Sequence, residues 1–397
     1  MRTSKVKKRI RSTCVPNIKC FGMCIFAFLL VLLAVISTVS CKAENLYESQ
    51  TDDIYKAQAD VLETDSLTRA LPNDAKNLLN DYSIHQGTSF DSGLKSILES
   101  GSRQAGGIIK KGIRSAVFLL LIVLCCGIAK SLFEAGSSSI PDYVAMVGAL
   151  ALSVSAAADL NNLIGLGKNL LDSLDTFSKA LLGTLAAASS VLGQPASTAA
   201  KYMATVLFMD VLITAINRVI LPILYAYIAA STANAALGDD MLGKLSSFLK
   251  WVCVTILGLI LTAFTAYLSI TGIIAGSTDA VALKATKMVL SNAIPVVGKI
   301  LSDASETVLA GTRILRNSVG IFGMIAVLAL CVTPFLRLAV QYILFKLVAV
   351  ISSVFSEGRL SSLIDSLASA FGIILGMLGS CVIIIIISIV SVISAMG

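Results

Sequence analysis

This chain carries apolar runs too long for the core of a water-soluble domain. Residues 381–388 read Cys-Val-Ile-Ile-Ile-Ile-Ile-Ser, inside a still longer apolar stretch, 371–396. Windows of about 18 or more apolar residues read as membrane-spanning helices. Composition agrees: 56% of the residues are hydrophobic, 14% are charged and the mean hydropathy is +0.86, against roughly 25% charged in soluble domains. The fold class expected is all-α, a polytopic integral membrane bundle.

Eight spans are expected after an N-terminal signal: 115–133, 143–158, 198–216, 219–237, 251–276, 319–335, 338–355 and 371–396. The formal charge of +7 sits in the first 19 residues, at Arg2, Lys5, Lys7, Lys8, Arg9, Arg11 and Lys19. From residue 20 onward 24 basic residues face 24 acidic ones, so the folded part has no basic excess for nucleic acid. The basic cluster precedes an apolar run, which makes 1–43 a signal sequence, cleaved or kept as an anchor. Residues 44–112 follow as an extracytoplasmic acidic amphipathic segment, in which Pro72 and Asp74 suit a helix start and 100–107 reads as a flexible joint. A two-span hairpin occupies 113–158.

The remainder divides at 277 into two stretches of similar plan. Residues 159–277 hold an amphipathic helix and three spans; 278–397 hold a second amphipathic segment and three more. The halves share sequence at a shift of 118: Leu242, Leu245 and Leu249 fall on Leu360, Leu363 and Leu367, and Ile256-Leu-Gly-Leu259 falls on Ile374-Leu-Gly-Met377. Units of three crossings would lie in opposite orientations, the plan of an inverted repeat. The stripe of Leu163, Leu166, Leu170, Leu174, Phe177, Leu181 and Leu185 either lies in the interface, lines a polar cavity or packs on neighbouring helices. Five basic residues in 278–318, against two in 238–250, favour placing the former inside; Lys110, Lys111 and Arg114 run against that topology.

Ionisable groups inside spans need an explanation. Asp210 lies mid-span, Arg218 and Arg337 at expected helix turns, Lys346 inside a span, and Gln341 one turn after Arg337. They outline a polar path between the two units, with Asp210 paired to Arg337 or Lys346. The plainer reading puts Arg218 and Arg337 at the headgroups and lets Lys346 snorkel. Gly272 and Gly276, like Gly372 and Gly376, are spaced for close helix approach, and Pro222, Pro295 and Pro334 break or kink apolar segments.

Enzyme chemistry finds no support. His85 is the single histidine, the nine cysteines include no CxxC pair, and Gly165-Leu-Gly-Lys168 lacks the spacing of a phosphate-binding loop. No cofactor or metal is expected.

The stretch Asn292-Ala-Ile-Pro295-Val-Val-Gly298, continuing through Asp303, Glu306 and Gly311 to Leu315-Arg-Asn317-Ser-Val-Gly320, resembles the most characteristic segment of the stage III sporulation protein AE (SpoIIIAE) family. The signal, the acidic segment with Ala70-Leu-Pro72 and the polytopic remainder follow the family's order. The resemblance implies a non-enzymatic subunit of a secretion-like channel complex in the mother-cell membrane around the forespore. Its implied partners are the other membrane proteins of its operon and their ATPase, a forespore SpoIIQ-type partner, and membrane lipid. The rival readings are a stand-alone secondary transporter with a polar path between inverted repeats, and a purely structural assembly factor.

Overall fold

The computed structural model describes residues 71–72, 75–76, 90–135, 141–192, 195–293, 297–355 and 358–393. Its elements are helical throughout: α1 (Phe90–Ala135), α2 (Pro141–Val191), α3 (Pro195–Ala215), a π-helical turn (Ile216–Ile220), α4 (Leu221–Leu237), α5 (Asp240–Ala293), α6 (Val297–Phe355) and α7 (Gly358–Ile393). The signal at 1–43 and most of the acidic segment lie outside the described residues. At Pro72 the backbone turns as expected, with the amides of Ala75 and Lys76 both donating to the Pro72 carbonyl at 3.0 Å.

Among the described residues six helices, rather than the eight expected, are long and apolar enough to cross a membrane. Two expected turns are replaced by continuous helix. Where 198–216 and 219–237 should have folded back at Asn217-Arg218, the chain runs on through the π-helical turn. The cause is Pro222, which has no amide to give the carbonyl four residues back. The ladder slips by one residue instead, with the Leu221 amide donating to the Ile216 carbonyl, and the axis continues. The turn expected between 335 and 338 is likewise helix, with Pro334 inside α6.

Each presumed unit is therefore a hairpin of two long helices: α3–α4 against α5, then α6 against α7. Two is an even number, so the argument for an inverted second copy lapses. Packing gives the orientation directly. Lys250 of α5 donates to Ser369 of α7 at 3.0 Å, and seven residues further along both helices Leu257 reaches 3.9 Å from the Cβ position of Gly376. Contacts that advance together mean that α5 and α7 run side by side in the same direction. Gly238 ends α4 in the left-handed conformation, at φ 73°, and the Arg359 guanidinium lies where a side chain there would stand. That contact sets the two hairpin tips at one end of the bundle.

The core centres on α7. Phe371 is fully buried and meets Phe345 of α6 edge-on, with ring centroids 4.9 Å apart. The amphipathic stripe of α2 belongs to this core: Leu174, Phe177, Leu181 and Leu185 are buried, Leu181 fills the space left by Gly323 of α6, and Gly167 faces Ile374 and Leu378 of α7. The packed reading of 159–191 is the one realised. The joint expected at 100–107 is continuous helix within α1, because Gly101 rests on Val332 and Gln104 accepts a hydrogen bond from Thr333 at 3.0 Å. These contacts, with Gly112 on Val340 and Leu344, make α1 parallel to α6.

Candidate functional site

Polar side chains collect in two places. The first is a cleft of about 470 Å³ between α1, α2 and α6. Helix α1 contributes Arg103, Gln104, Lys111 and Ser115, all on one helix face. Helix α2 contributes Asp159 and Asn162, and α6 contributes Arg337 and Gln341. Gly112 brings α1 close enough to form the wall, its Cβ position lying 3.5 Å from the Gln341 amide oxygen. The buried Gln341 donates to the Asp159 carboxylate at 3.0 Å, and Arg103 pairs with Glu99 at 2.6 Å on the exposed side. Lys111 and Arg337, both exposed, line the cleft with no ion pair among the described residues.

The second place is a polar belt on one turn of α7. Lys346 of α6 pairs with Asp365, the Tyr227 hydroxyl of α4 donates to the Ser366 carbonyl at 3.0 Å, and Lys250 of α5 reaches Ser369. Ser231 and Ser246 bond across the first hairpin at 3.2 Å, and Ser153 of α2 meets Thr232 of α4 at 2.7 Å. Every one of these bonds joins two helices, which is how polar side chains hold a bundle together in lipid. At the other end of α7, Lys201 donates to the Ser391 carbonyl at 2.7 Å and Arg316 to the Ile393 carbonyl at 3.1 Å. Two buried cations thus sit on the negative end of the helix dipole.

The residues of the expected path are divided among three surroundings. Arg337 and Gln341 share the cleft. Lys346 takes Asp365 as its partner rather than Asp210, a pairing the sequence reading missed because Asp365 follows a turn and looks like a headgroup residue. Asp210 is exposed on α3, and Arg218 is exposed on the π-helical turn. Of the glycine pairs, Gly272 and Gly276 lie on α5 and Gly372 and Gly376 on α7; Gly376 makes the approach to Leu257. In the characteristic segment, Pro295 lies outside the described residues. Gly298, Asp303, Glu306 and Gly311 fall on the first part of α6, Asn317 is exposed, and Gly320 is buried against Ile393 of α7. Of the cleft's other charges, the sequence marked Lys111 as bordering a span and Asp159 as the start of the amphipathic stretch, while Arg103 fell within the expected joint at 100–107.

Six long apolar helices joined by interhelical polar bonds define the class: an all-helical, multi-pass membrane protein. Within that class, a sequence model of the family described as stage III sporulation protein AE matches residues 74–396, and the chain belongs to this family. The Stage III sporulation protein AE of Bacillus subtilis (strain 168) is 23% identical over 253 residues, which is 64% of this chain and 63% of that protein's length. No solved structure matches.

Proposed function

We propose that this chain is a non-enzymatic membrane subunit of a channel or secretion-like complex between mother cell and forespore, acting during endospore formation. The observation that carries the reading is the family match, which runs from residue 74 to residue 396 and so takes in all six apolar helices. The proposed location is the mother-cell membrane around the forespore. The proposed partners are the other membrane proteins of the stage III operon, their ATPase, and a SpoIIQ-type protein on the forespore side. Helices α3–α5 and α6–α7 are read as two copies of one hairpin in the same orientation. Their tips, Leu237 to Asp240 and Phe355 to Gly358, are offset by 118 residues, as are the start of the π-helical turn at Ile216 and Pro334.

A stand-alone transporter would gather its polar groups on one route between the copies. The separation of Asp210 and Arg218 from the cleft weighs against that reading. The test is co-isolation of the tagged full-length chain from sporulating cells after cross-linking. Recovery with the operon's ATPase and membrane proteins, together with arrest after engulfment when the chain is depleted, is the expected result. Isolation of the chain alone, with sporulation unimpaired on depletion, would return the transporter to first place.

A further inference from the structure

The cleft between α1, α2 and α6 stands at one edge of a lipid-facing band. From Lys111, α1 runs on into exposed Val117, Phe118 and Leu121. From Gln341, the parallel α6 runs in the same direction into exposed Ile343 and Leu347. Helix α2 is antiparallel to α1, since Gly148 packs on Cys126 while Asp159 shares the cleft with Lys111; running back from Asp159 it exposes Val154 and Leu150. All three helices thus pass from the polar cleft into apolar surface on the same side. On this face of the bundle the apolar surface stops at the cleft, as it does at a headgroup layer, whereas on the α3–α5 face exposed Val211, Leu207 and Ile270 carry it further.

The cleft's charge is unbalanced at that level. Its one carboxylate, Asp159, is held by the neutral Gln341 amide and offsets one of the cleft's cations, leaving one net positive charge. Lys111 and Arg337 bring two positive charges, and Arg103 a third that Glu99 offsets. A guanidinium offers paired N–H donors that match phosphate oxygens, and an ammonium adds a compact charge. Basic pockets between membrane helices at this depth hold anionic headgroups.

We propose that this cleft binds a phosphate group, between Arg337 and Lys111, at the membrane edge. The apolar surface leading away from it on all three helices suits the acyl chains of a phospholipid, so the headgroup of an anionic lipid is the expected source. Asn162 and Ser115 line the same space and supply polar contacts for the rest of a headgroup. Gly107 keeps the wall open, since a Cβ there meets nothing within 4 Å.

The experiment is native mass spectrometry of the full-length chain in detergent, with phosphatidylglycerol and phosphatidylcholine added in equal amounts. Wild type should retain phosphatidylglycerol over phosphatidylcholine by about fivefold, the size expected for one net positive charge near a headgroup. The double variant Lys111→Gln/Arg337→Gln should lose that preference. Gly107→Leu should lose it too, by filling the cleft without removing a charge, and it carries the test if the double variant does not fold. Displacement of phosphatidylglycerol by millimolar inorganic phosphate, absent in both variants, would keep the phosphate site and assign it to soluble phosphate. Equal retention of the two lipids by wild type, or an unchanged preference in a folded variant, overturns the proposal.

Discussion

The two hairpins share a short tip and an irregularity in the first arm, each at a shift of 118 residues, yet they hold opposite places in the bundle. In the α3–α5 hairpin only 28% and 22% of the apolar windows are buried; in α6 and α7 the figure is 67% for both. The first hairpin turns Leu207 and Val211 of α3, and Phe248, Trp251 and Leu259 of α5, outward. The second is enclosed by α1, α2 and the first hairpin, and α7 has no large apolar side chain among the exposed ones. On α6 exposure narrows to a stripe of Ile343, Leu347, Val350, Ile351 and Val354, spaced as one helix face. One hairpin plan thus serves as core in one place and as wall in the other. The difference comes from what packs around each hairpin, since all four arms are apolar enough to live in lipid.

The sharpest way to break this comparison is topological, and its outcome is all or none. Single cysteines replacing Asp240 and Ser362, in a background stripped of the nine native cysteines, should react with an impermeant reagent from the same side of the membrane. Both positions are exposed at hairpin tips held together by Gly238 and Arg359. Labelling from opposite sides would restore the inverted repeat.

The next effect is on stability. Phe371→Ala empties a fully buried site beside Phe345, and thermal unfolding in micelles should show a loss of about 3–5 kcal/mol. A loss below about 1 kcal/mol would mean that α7 is not the packed centre.

A smaller effect is expected at the polar belt. Asp365→Asn leaves Lys346 without its carboxylate. The pair is partly exposed, so the cost should be about 2 kcal/mol, between the values for surface and buried pairs. Exchanging the two residues should recover part of it, and an exchange no better than the single change would show that the charge pair is not what matters.

The smallest effect is expected on the wall. Leu259 is 64% exposed, and Leu259→Ala should change unfolding by less than about 0.5 kcal/mol. A loss comparable to that of Phe371→Ala would place this face inside a contact between subunits rather than against lipid.

Particular residues show how far the sequence could be read. Spans 115–133 and 143–158 fall inside α1 and α2, because a run of apolar residues needs no partner to declare that it prefers lipid. The leucine match at a shift of 118 suggested three-span units in opposite orientation; the structure has two-helix hairpins there instead, with tips 118 residues apart. Asn217-Arg218 misled, because a polar pair inside an apolar run looks the same whether the chain turns or a π-helical step carries it onward. Asp210 misled because a carboxylate's partner depends on distant helices, and Lys346 lies nearer to Asp365.

The cleft was half legible. Arg337 and Gln341 share a face by spacing alone, but nothing local linked them to Lys111 or Asp159, more than 170 residues away. Sequence by itself determined the all-helical membrane class and the family, and confined two reversals to 238–250 and 356–370, since apolarity and motif act within a few turns of helix. Only the tertiary structure decided which hairpin became the core, that both point the same way, and which charges meet. Those outcomes rest on packing and pairing between helices, and helices equally soluble in lipid carry no local mark of which neighbour they will find.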